Sequence, residues 1–333
     1  MWRPVVVFTD TEDLDPGPGA RLLADAGFDV RLADSRNPDV IARAGADAVA
    51  LIVGYACIDA ALLDRLPRLR ILATMSAGFD MVDTAEARRR GLWVANLPDA
   101  ATEDVAVHAL ASALSLVRRL PQADAVVRSG GWNGEFVAVE LPRRTSDLTL
   151  GLVGLGRIAR HLAALAAPVF GGIAAYDPHA ADEHWPAGIR RYADLDALAA
   201  NSDVLSLHVP LTPRTQGLAD ARLLGRMRPG SFLVNVARGE LVDPAGLLDA
   251  LDSGRLAGAA LDVFPVEPPP ADDALRRHPR IQLSPHSAYL SDTSRRAYVC
   301  KPAENVIAWL RTGRPLTPVV DPSTTVPAQG ATA

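Results

Sequence analysis

Several residue types that mark particular chemistries are nearly missing from this chain of 333 residues. Its two cysteines, Cys57 and Cys300, lie far apart and lack the paired spacing of zinc ligands, which argues against a disulfide framework and against a metal cluster. Lys301 is its one lysine, so the chain has no Gly-Lys-Ser/Thr phosphate loop and no Ser-x-x-Lys nucleophile. We therefore expect no metal and interpret Lys301 as a solvated surface residue.

Long apolar runs and basic patches are missing as well. The longest uncharged run covers 15 residues, 162–176, whereas a membrane-spanning helix needs about 20 apolar residues. The net charge is −5 without a basic block, so the electrostatic footprint of a nucleic-acid-binding protein is lacking. The first residues are too short of apolar side chains for a secretory signal, which predicts a cytoplasmic protein. We expect small-molecule ligands, with neither nucleic acid nor membrane as a partner.

Short apolar runs separated by helical stretches are typical of a parallel α/β fold. At roughly 150 residues per domain, the length predicts about two domains. The predicted strands form a first set of five and a second set of six: 5–8, around Val30, 48–53, 70–73 and 93–95, then 150–153, 173–176, 204–207, 232–235, 259–262 and 281–283. Six strands suit a complete dinucleotide-binding sheet.

The region between the two sets predicts a linking helix. Residues 99–120 are alanine-rich and contain neither proline nor glycine, and Pro121 predicts that no helix follows directly. Residues 130–134 contain three glycines and predict a loop. From about residue 315 the composition predicts a loose tail.

A glycine-rich turn, GLGRIA at residues 154–159, follows a predicted strand and opens a helical stretch. In the dinucleotide-binding fingerprint, a residue such as Gly154 allows the tight turn and one such as Gly156 lets the backbone approach a pyrophosphate. Asp177 ends the next predicted strand, 21 residues after Gly156, near the spacing expected of a carboxylate that bonds the adenosine ribose. Such a carboxylate repels the extra phosphate of NADP, so the pattern favours NAD(H). The alternatives are a purely structural turn and an Asp177 that caps the turn before Pro178.

Three polar residues, Arg238, Glu267 and His286, follow three successive strands of the second predicted set. The carboxyl ends of strands in an open α/β sheet are where ligands bind. Arginine can grip a carboxylate, histidine exchanges a proton near neutral pH, and glutamate can orient that histidine and stabilise its cation. Singly, each also has a structural interpretation: a turn cap, a residue of a proline-rich loop and a hydrogen-bonded histidine. Their common placement favours an active site.

Five segments resemble those of a known family. NVARGELV at 235–242, AGAALDVFPVEP at 257–268 and SPHSA at 284–288 resemble the three signature segments of the D-isomer-specific 2-hydroxyacid dehydrogenases. LHVPLT at 207–212 and MSAGFDMVD at 75–83 resemble further segments of that family.

The resemblance runs from about residue 48 to 312 and implies roles for individual residues. Arg238, Glu267 and His286 take the catalytic roles, and the backbone at Ala77 and Gly78 helps Arg238 to hold the substrate carboxylate. The residues implied to bind the cofactor are Thr102, Gly154, Gly156, Arg157, Ile158, Asp177, His208, Pro210, Thr215, Ala237 and Asp262, the last of them at the nicotinamide carboxamide.

The resemblance also implies two doubly wound parallel-sheet domains, with a Rossmann NAD domain inserted in a flavodoxin-like substrate domain. Here the discontinuous substrate domain would comprise residues 1–98 and 289–333, and the NAD-binding domain residues 99–288. Family members pair through the NAD domain, so we expect a homodimer. Trp132 matches a loop aromatic that can approach a neighbouring subunit's pocket, and an exposed loop tryptophan is the equal alternative.

Two positions depart from the family pattern. Ala159 replaces the commoner third glycine, and Val107 stands where the family often has Glu before the histidine that corresponds to His108. We interpret His108 and His208 as structural or cofactor-lining residues.

These features predict an NAD(H)-dependent oxidoreductase that interconverts a 2-oxo acid and a D-2-hydroxy acid and works as a 2-oxo acid reductase. Two alternatives share the Arg, Glu and His set: a phosphite dehydrogenase, and an NAD-sensing binding protein of the C-terminal-binding-protein type. Formate dehydrogenases carry Gln where Glu267 stands, which disfavours formate. The side chain of the substrate stays open, from glyoxylate to branched or aryl acids.

Overall fold

The structure is a computed structural model that describes residues 3–11, 14–137, 141–181 and 185–324. The chain divides into two compact units, the first within Met1–Ala101 and Leu290–Ala333 and the second within Thr102–Tyr289. The substrate-binding and NAD-binding roles given to residues 1–98 with 289–333 and to residues 99–288 stay predictions. None of the helices in the described ranges has the length and apolar character that crossing a bilayer requires.

The first unit contains a sheet that, among the described residues, has six strands. They are β1 (Val5–Phe8), β2 (Asp29–Leu32), β3 (Ala48–Val53), β4 (Ile71–Thr74), β5 (Trp93–Ala95) and β13 (Pro318–Val320). The order is β13-β5-β4-β3-β1-β2, parallel except for the antiparallel pair of β13 and β5. The order 2-1-3-4-5 of the first five strands is flavodoxin-like.

Five helices accompany this sheet in the described ranges, and most begin at a side chain that caps them. They are α1 (Gly17–Asp25), α2 (Pro38–Gly45), α3 (Ala60–Asp64), α4 (Thr84–Arg89) and α13 (Asp292–Thr312). Asn37, Asp59 and Asp83 each accept a hydrogen bond from a first-turn amide, and Ser291 forms a capping box with Ser294. These caps satisfy amides that a helix start would otherwise leave unpaired.

The second unit contains a parallel sheet with seven strands in the described residues. They are β6 (Thr149–Val153), β7 (Gly172–Tyr176), β8 (Ile189–Arg191), β9 (Val204–Leu207), β10 (Ser231–Asn235), β11 (Leu256–Leu261) and β12 (Ile281–Leu283). The order is β12-β11-β10-β9-β6-β7-β8. Strand order reverses between β6 and β9, and such a reversal creates the crevice where doubly wound folds bind ligands.

The helices of the second unit within the described ranges are α5 (Thr102–Arg118), α6 (Leu120–Arg128), α7 (Asn133–Val137), α8 (Arg157–Ala166), α9 (Leu195–Ala200), α10 (Ala221–Arg226), α11 (Pro244–Asp252) and α12 (Ala274–Arg277). Helices α5 and α8 cover one face of the sheet and α9 to α11 the other. Along β10, Phe232 and Val234 enter the first core and Leu233 the second, because successive side chains of a strand point to opposite faces. Burial on both faces explains why the strands read as continuous apolar runs.

Three local predictions are wrong. Pro121 does not prevent a following helix. Arg119, at φ 54°, separates α5 from α6, and Pro121 lies in the first turn of α6, where a missing N–H costs nothing. Helix α7 begins inside the predicted loop 130–134. The tail predicted from about residue 315 is not loose at β13, because Val320 is buried and pairs with Val94. Residues 325–333 of that tail lie outside the described residues.

Candidate active site

The glycine-rich turn after β6 has the geometry that the sequence predicts for it. Gly154 has φ +90°, and a Cβ there would lie 2.7 Å from the carbonyl oxygen of His208, so only glycine fits. A Cβ on Gly156 would meet nothing within 4 Å, which leaves open space beside the backbone. Ala159 is fully buried in the core under the sheet, where a small residue lets α8 pack closely.

The N-terminus of α8 provides a place for an anion. Gly156 is its N-cap and offers no side chain to the first-turn amides, and no acidic residue lies in that turn. Arg157 and Ile158 begin the helix. Exposed first-turn amides and the helix dipole favour negative charge, so these residues fit a dinucleotide pyrophosphate.

Asp177, directly after β7, is tied to this turn. Its Oδ2 accepts a hydrogen bond of 2.8 Å from the amide of Leu155, and its Oδ1 accepts one of 2.8 Å from the amide of His179. The carboxylate thus caps its own turn and also braces the glycine-rich turn. Each oxygen retains a further lone pair, so the ribose contact stays a prediction.

Glu267 and His286 form a hydrogen-bonded pair. Nδ1 of His286 lies 2.7 Å from Oε2 of Glu267, whose Oε1 accepts a bond of 2.9 Å from the amide of Phe264. Burial alone would raise the pKa of Glu267, but the bond to His286, its charge, the Phe264 amide and the Arg238 guanidinium together hold that pKa below its usual value. An ionised carboxylate only accepts hydrogen bonds, so Nδ1 of His286 carries the proton of this bond.

Arg238 follows β10 at the same end of the sheet. Its Nη1 donates to the carbonyl oxygen of Ala237 at 2.8 Å, and its own carbonyl accepts from the buried Asn235 side chain at 2.8 Å. A Cβ on Gly239 would lie 2.0 Å from the Phe264 backbone, so Gly239 is buried against the next strand's loop. The turn is therefore packed, and Arg238 does not simply cap a surface turn.

A buried carboxylate, to which the family resemblance gives a cofactor role, holds the His286 segment. Asp262 is 2% exposed, and its Oδ1 accepts from Ser284 Oγ at 2.5 Å and from the Ser287 amide at 2.9 Å. Its Oδ2 accepts from the Ala288 amide at 2.9 Å, and its carbonyl accepts from the His286 amide at 2.7 Å. These four bonds hold His286 at φ 50°, a conformation that non-glycine residues rarely adopt.

Sequence reasoning missed this bracing role. The hydroxyl of Ser284, two residues before His286, was the one side-chain signal, because Ser287 contributes only its backbone amide. Ser284 uses its proton on Asp262, so its oxygen accepts from Nε2 of His108 at 3.0 Å. This bond agrees with the structural interpretation of His108. The nicotinamide contact of Asp262 stays a prediction.

The remaining predicted cofactor residues lie in the second unit. Burial lowers the pKa of His208 to about 4, so its ring is neutral at pH 7, and Nε2 pairs with Ser206 Oγ at 2.8 Å. Thr215 Oγ1 donates to the carbonyl of Pro210 at 2.7 Å, which closes the turn after β9. Ala237 donates its amide to Asn235 at 3.1 Å. Thr102 Oγ1 is buried without a hydrogen-bond partner among the described residues, which fits its predicted contact with the cofactor.

The substrate residues predicted from the backbone, Ala77 and Gly78, lie in the first unit, in the loop after β4. Ala77 is exposed and Gly78 half-buried. The described residues include no acceptor for either amide. Two adjacent unpaired amides can bind a carboxylate.

Comparisons with known proteins identify the family of the chain. A family model for the NAD-binding domain of D-isomer-specific 2-hydroxyacid dehydrogenases matches residues 110–288. The chain is 36% identical over 259 residues to a glyoxylate reductase of Thermofilum pendens, covering 76% of each chain. It is 37% identical over 288 residues to the D-3-phosphoglycerate dehydrogenase of Mycobacterium tuberculosis, covering 86% of this chain and 53% of that one.

A solved structure extends the likeness to the whole chain. The NADPH-dependent glyoxylate/hydroxypyruvate reductase of Sinorhizobium meliloti, in complex with NADP and malonate, superposes with a TM-score of 0.86 at 32% identity and covers 98% of this chain and 100% of that one. The cofactor is thus a nicotinamide dinucleotide, and the protein is an enzyme that interconverts 2-oxo and 2-hydroxy acids. The chain belongs to the D-isomer-specific 2-hydroxyacid dehydrogenase family.

Proposed function

We propose that this enzyme is an NAD(H)-dependent 2-oxo acid reductase that forms D-2-hydroxy acids. The observation that supports it most is the 2.7 Å pair of His286 and Glu267, close enough to Arg238 for that guanidinium to lower the pKa of Glu267. A proton donor, its charge partner and a carboxylate-binding cation are the three protein groups that the reaction needs.

The second unit offers a coherent set of cofactor residues. The first-turn amides at Arg157 and Ile158 would hold the pyrophosphate beside the open space at Gly156, and Asp177 would bond the adenosine ribose. Thr102, His208, Pro210, Thr215, Ala237 and Asp262 would line the rest of the site. When bound, the reduced nicotinamide supplies the hydride that reaches the 2-oxo carbon.

The chain's own residues bind the acid and move the proton. We infer that Arg238 grips the carboxylate and polarises the 2-oxo group. The family resemblance assigns the amides of Ala77 and Gly78 to carboxylate binding as well. Because Nδ1 of His286 donates to Glu267, we assign the transferred proton to Nε2, which delivers it to the developing hydroxyl oxygen. Glu267 stabilises the imidazolium before transfer.

Two features guide the choice of substrate and cofactor to test. Proteins similar to this chain are named glyoxylate reductases, so small 2-oxo acids come first. The Sinorhizobium meliloti enzyme is NADPH-dependent, whereas in this chain the ribose role that we propose for Asp177 would put a carboxylate beside the 2′-phosphate of NADPH. We therefore expect NADH to be preferred.

An NADH-oxidation screen tests the proposal. Glyoxylate, hydroxypyruvate, pyruvate and branched or aryl 2-oxo acids are each assayed with NADH and NADPH, and the chirality of the product is determined. Phosphite with NAD⁺ is the parallel reaction for the alternative dehydrogenase. Turnover of at least one 2-oxo acid to its D-product supports the proposal, and turnover of phosphite alone contradicts it.

We also propose that the enzyme is a homodimer formed through the second unit. Large apolar side chains are exposed along residues 107–141 of that unit, with Trp132 at 73% exposure: Val107, Leu120, Val127, Trp132, Val137 and Leu141. Large apolar side chains that are exposed over one stretch of a chain favour an interface there. Val127→Asp should shift the mass measured by light scattering towards the monomer. Leu32→Asp, on an equally exposed leucine of the first unit, should leave it unchanged.

A further inference from the structure

The loop of residues 76–78 contains the two amides assigned to the substrate carboxylate, those of Ala77 and Gly78, and all three of its carbonyl groups accept hydrogen bonds. The carbonyl of Ser76 accepts from the amide of Leu97 at 3.0 Å. The carbonyl of Ala77 accepts from Nδ2 of Asn96 at 2.7 Å. The carbonyl of Gly78 accepts from the Ser76 hydroxyl at 2.6 Å. Each peptide of the loop is therefore tied down through its oxygen.

Holding a carbonyl also determines where the next amide points. A trans peptide is planar, so the C=O of one residue and the N–H of the next are directed to opposite sides. The bond from Asn96 to the Ala77 carbonyl therefore sets the direction of the Gly78 N–H. That N–H has no acceptor among the described residues.

Asn96 itself is held in place by a buried polar network. It is 9% exposed, its amide donates to the carbonyl of Thr317 at 3.2 Å, and its carbonyl accepts from Thr317 Oγ1 at 2.5 Å. Thr317 in turn donates its amide to Oδ1 of Asn305 at 3.0 Å, and Nδ2 of Asn305 donates to the Thr317 hydroxyl at 3.0 Å. The network connects α13 through the segment before β13 to the loop.

We propose that Asn96 is a positioning residue for substrate binding, which aims the Gly78 amide at the carboxylate of the 2-oxo acid. Thr317 and Asn305 hold Asn96 in position through their hydrogen bonds. The inference rests on the proposed function, because it requires that residues 77 and 78 bind the carboxylate. A purely architectural Asn96 would affect stability without selective loss of affinity for the acid.

The first test is Asn96→Asp, which keeps the shape of the side chain but replaces the donor with a carboxylate that repels the Ala77 carbonyl. KM for the best 2-oxo acid should rise about 10- to 100-fold, the size expected for a misdirected hydrogen bond to a charged group. The kcat and the Kd for NADH, followed by fluorescence, should change by less than about threefold.

The second readout compares the 2-oxo acid with its methyl ester, which lacks the anionic carboxylate. Unmodified enzyme should prefer the acid, and Asn96→Asp should reduce that preference by the same factor by which KM rises. Asn201→Asp is the matched control, because Nδ2 of Asn201 donates to the Ala197 carbonyl at 2.8 Å in the other unit. Its kinetic constants should stay at those of the unmodified enzyme.

The outcomes separate the two proposals. If the unmodified enzyme reduces no 2-oxo acid, the proposed function fails and the role of Asn96 fails with it. If it reduces them and Asn96→Asp leaves KM and the acid-to-ester ratio unchanged, only the inference about Asn96 is overturned. Should Asn96→Asp not fold, Asn96→Ala removes the donor without adding charge. It should raise KM about 3- to 10-fold, and an unchanged KM would overturn the inference.

Discussion

The segment of residues 284–288 in the second unit and the loop of residues 76–78 in the first are held by opposite chemistry. In the second unit, Asp262 accepts hydrogen bonds from Ser284 and from the amides of Ser287 and Ala288. In the first unit, Asn96 donates to the Ala77 carbonyl. Each loop thus depends on one buried polar side chain at or next to a strand's carboxyl end.

The groups that Asp262 and Asn96 bind determine which groups of each loop stay available for function. The carboxylate of Asp262 accepts hydrogen bonds from backbone amides, which fixes the backbone of the His286 segment and leaves the imidazole as the proposed functional group. An amide that binds a carbonyl turns the neighbouring N–H outward, so the backbone itself becomes functional. In the proposed function the first unit binds the acid and the second donates the proton, so variants of the first should change KM and variants of the second kcat.

The largest effect should come from removing the proton donor. His286→Ala should lower kcat by about 10²–10⁴-fold, the usual contribution of general acid catalysis. His278→Ala is the matched control and should keep normal turnover. Nε2 of His278 lies 3.2 Å from Oδ1 of Asp252, and this pair is not part of the site. Steady-state rates of NADH oxidation measure both. Rapid turnover by His286→Ala would contradict the assignment of His286 as the proton donor.

Loss of the Asp262 carboxylate, which holds residues 284–288, should have the second largest effect. Asp262→Asn turns one of its acceptor atoms into a donor that faces other donors, so kcat should fall about 10- to 100-fold and unfolding free energy by about 1–3 kcal/mol. Kinetics and urea unfolding measure the two losses.

Asp203→Asn separates a loss of stability from a loss of alignment. Asp203 is also 2% exposed and accepts from Arg143, Arg228 and the Thr149 amide. Because it precedes β9, at the opposite end of the sheet, its variant should lose comparable stability while kcat is kept. Equal losses of kcat in both variants would refute the alignment role of Asp262.

The charge of Glu267 should act on the pH profile. Reduction consumes a proton, so kcat/KM for the oxo acid should be full at low pH and fall as pH rises. Glu267 stays ionised between pH 5 and 9 because its pKa is lowered, and His208, with a pKa of about 4, stays neutral there. Glu267→Gln should therefore move the falling limb to lower pH by roughly one unit. A limb that does not move would exclude this charge effect.

The smallest effect concerns Asp177. Like Asp262, this carboxylate accepts a backbone amide, that of Leu155, and so braces the glycine-rich turn. NADH should be preferred over NADPH, and Asp177→Ala should narrow the ratio of kcat/KM values by about 3- to 10-fold, the loss expected for one hydrogen-bonding partner. Comparing both cofactors at saturating oxo acid measures it. Equal efficiencies in the unmodified enzyme would contradict the ribose assignment.

Local sequence patterns determined most of the secondary structure. The apolar runs of the second unit became buried parallel strands, and the turn at Gly154 became the strand-to-helix connection. Strand β8, with sequence Ile-Arg-Arg, carried no apolar signal, because an edge strand need not bury both faces. Strand β13 was missed because its pairing partner, β5, lies more than 200 residues away.

The sequence by itself also determined the family, because the segments that contain Arg238, Glu267 and His286 are recognisable and the family is confirmed. The catalytic roles of these three residues stay predictions. Only the tertiary structure decided how those residues and the substrate loop are held. The bonds from Asp262 to residues 284–288 and from Asn96 to Ala77 join parts of the chain that are about 20 residues apart. A hydrogen bond depends on the distance and direction of two atoms, and no periodicity within a single strand encodes that distance.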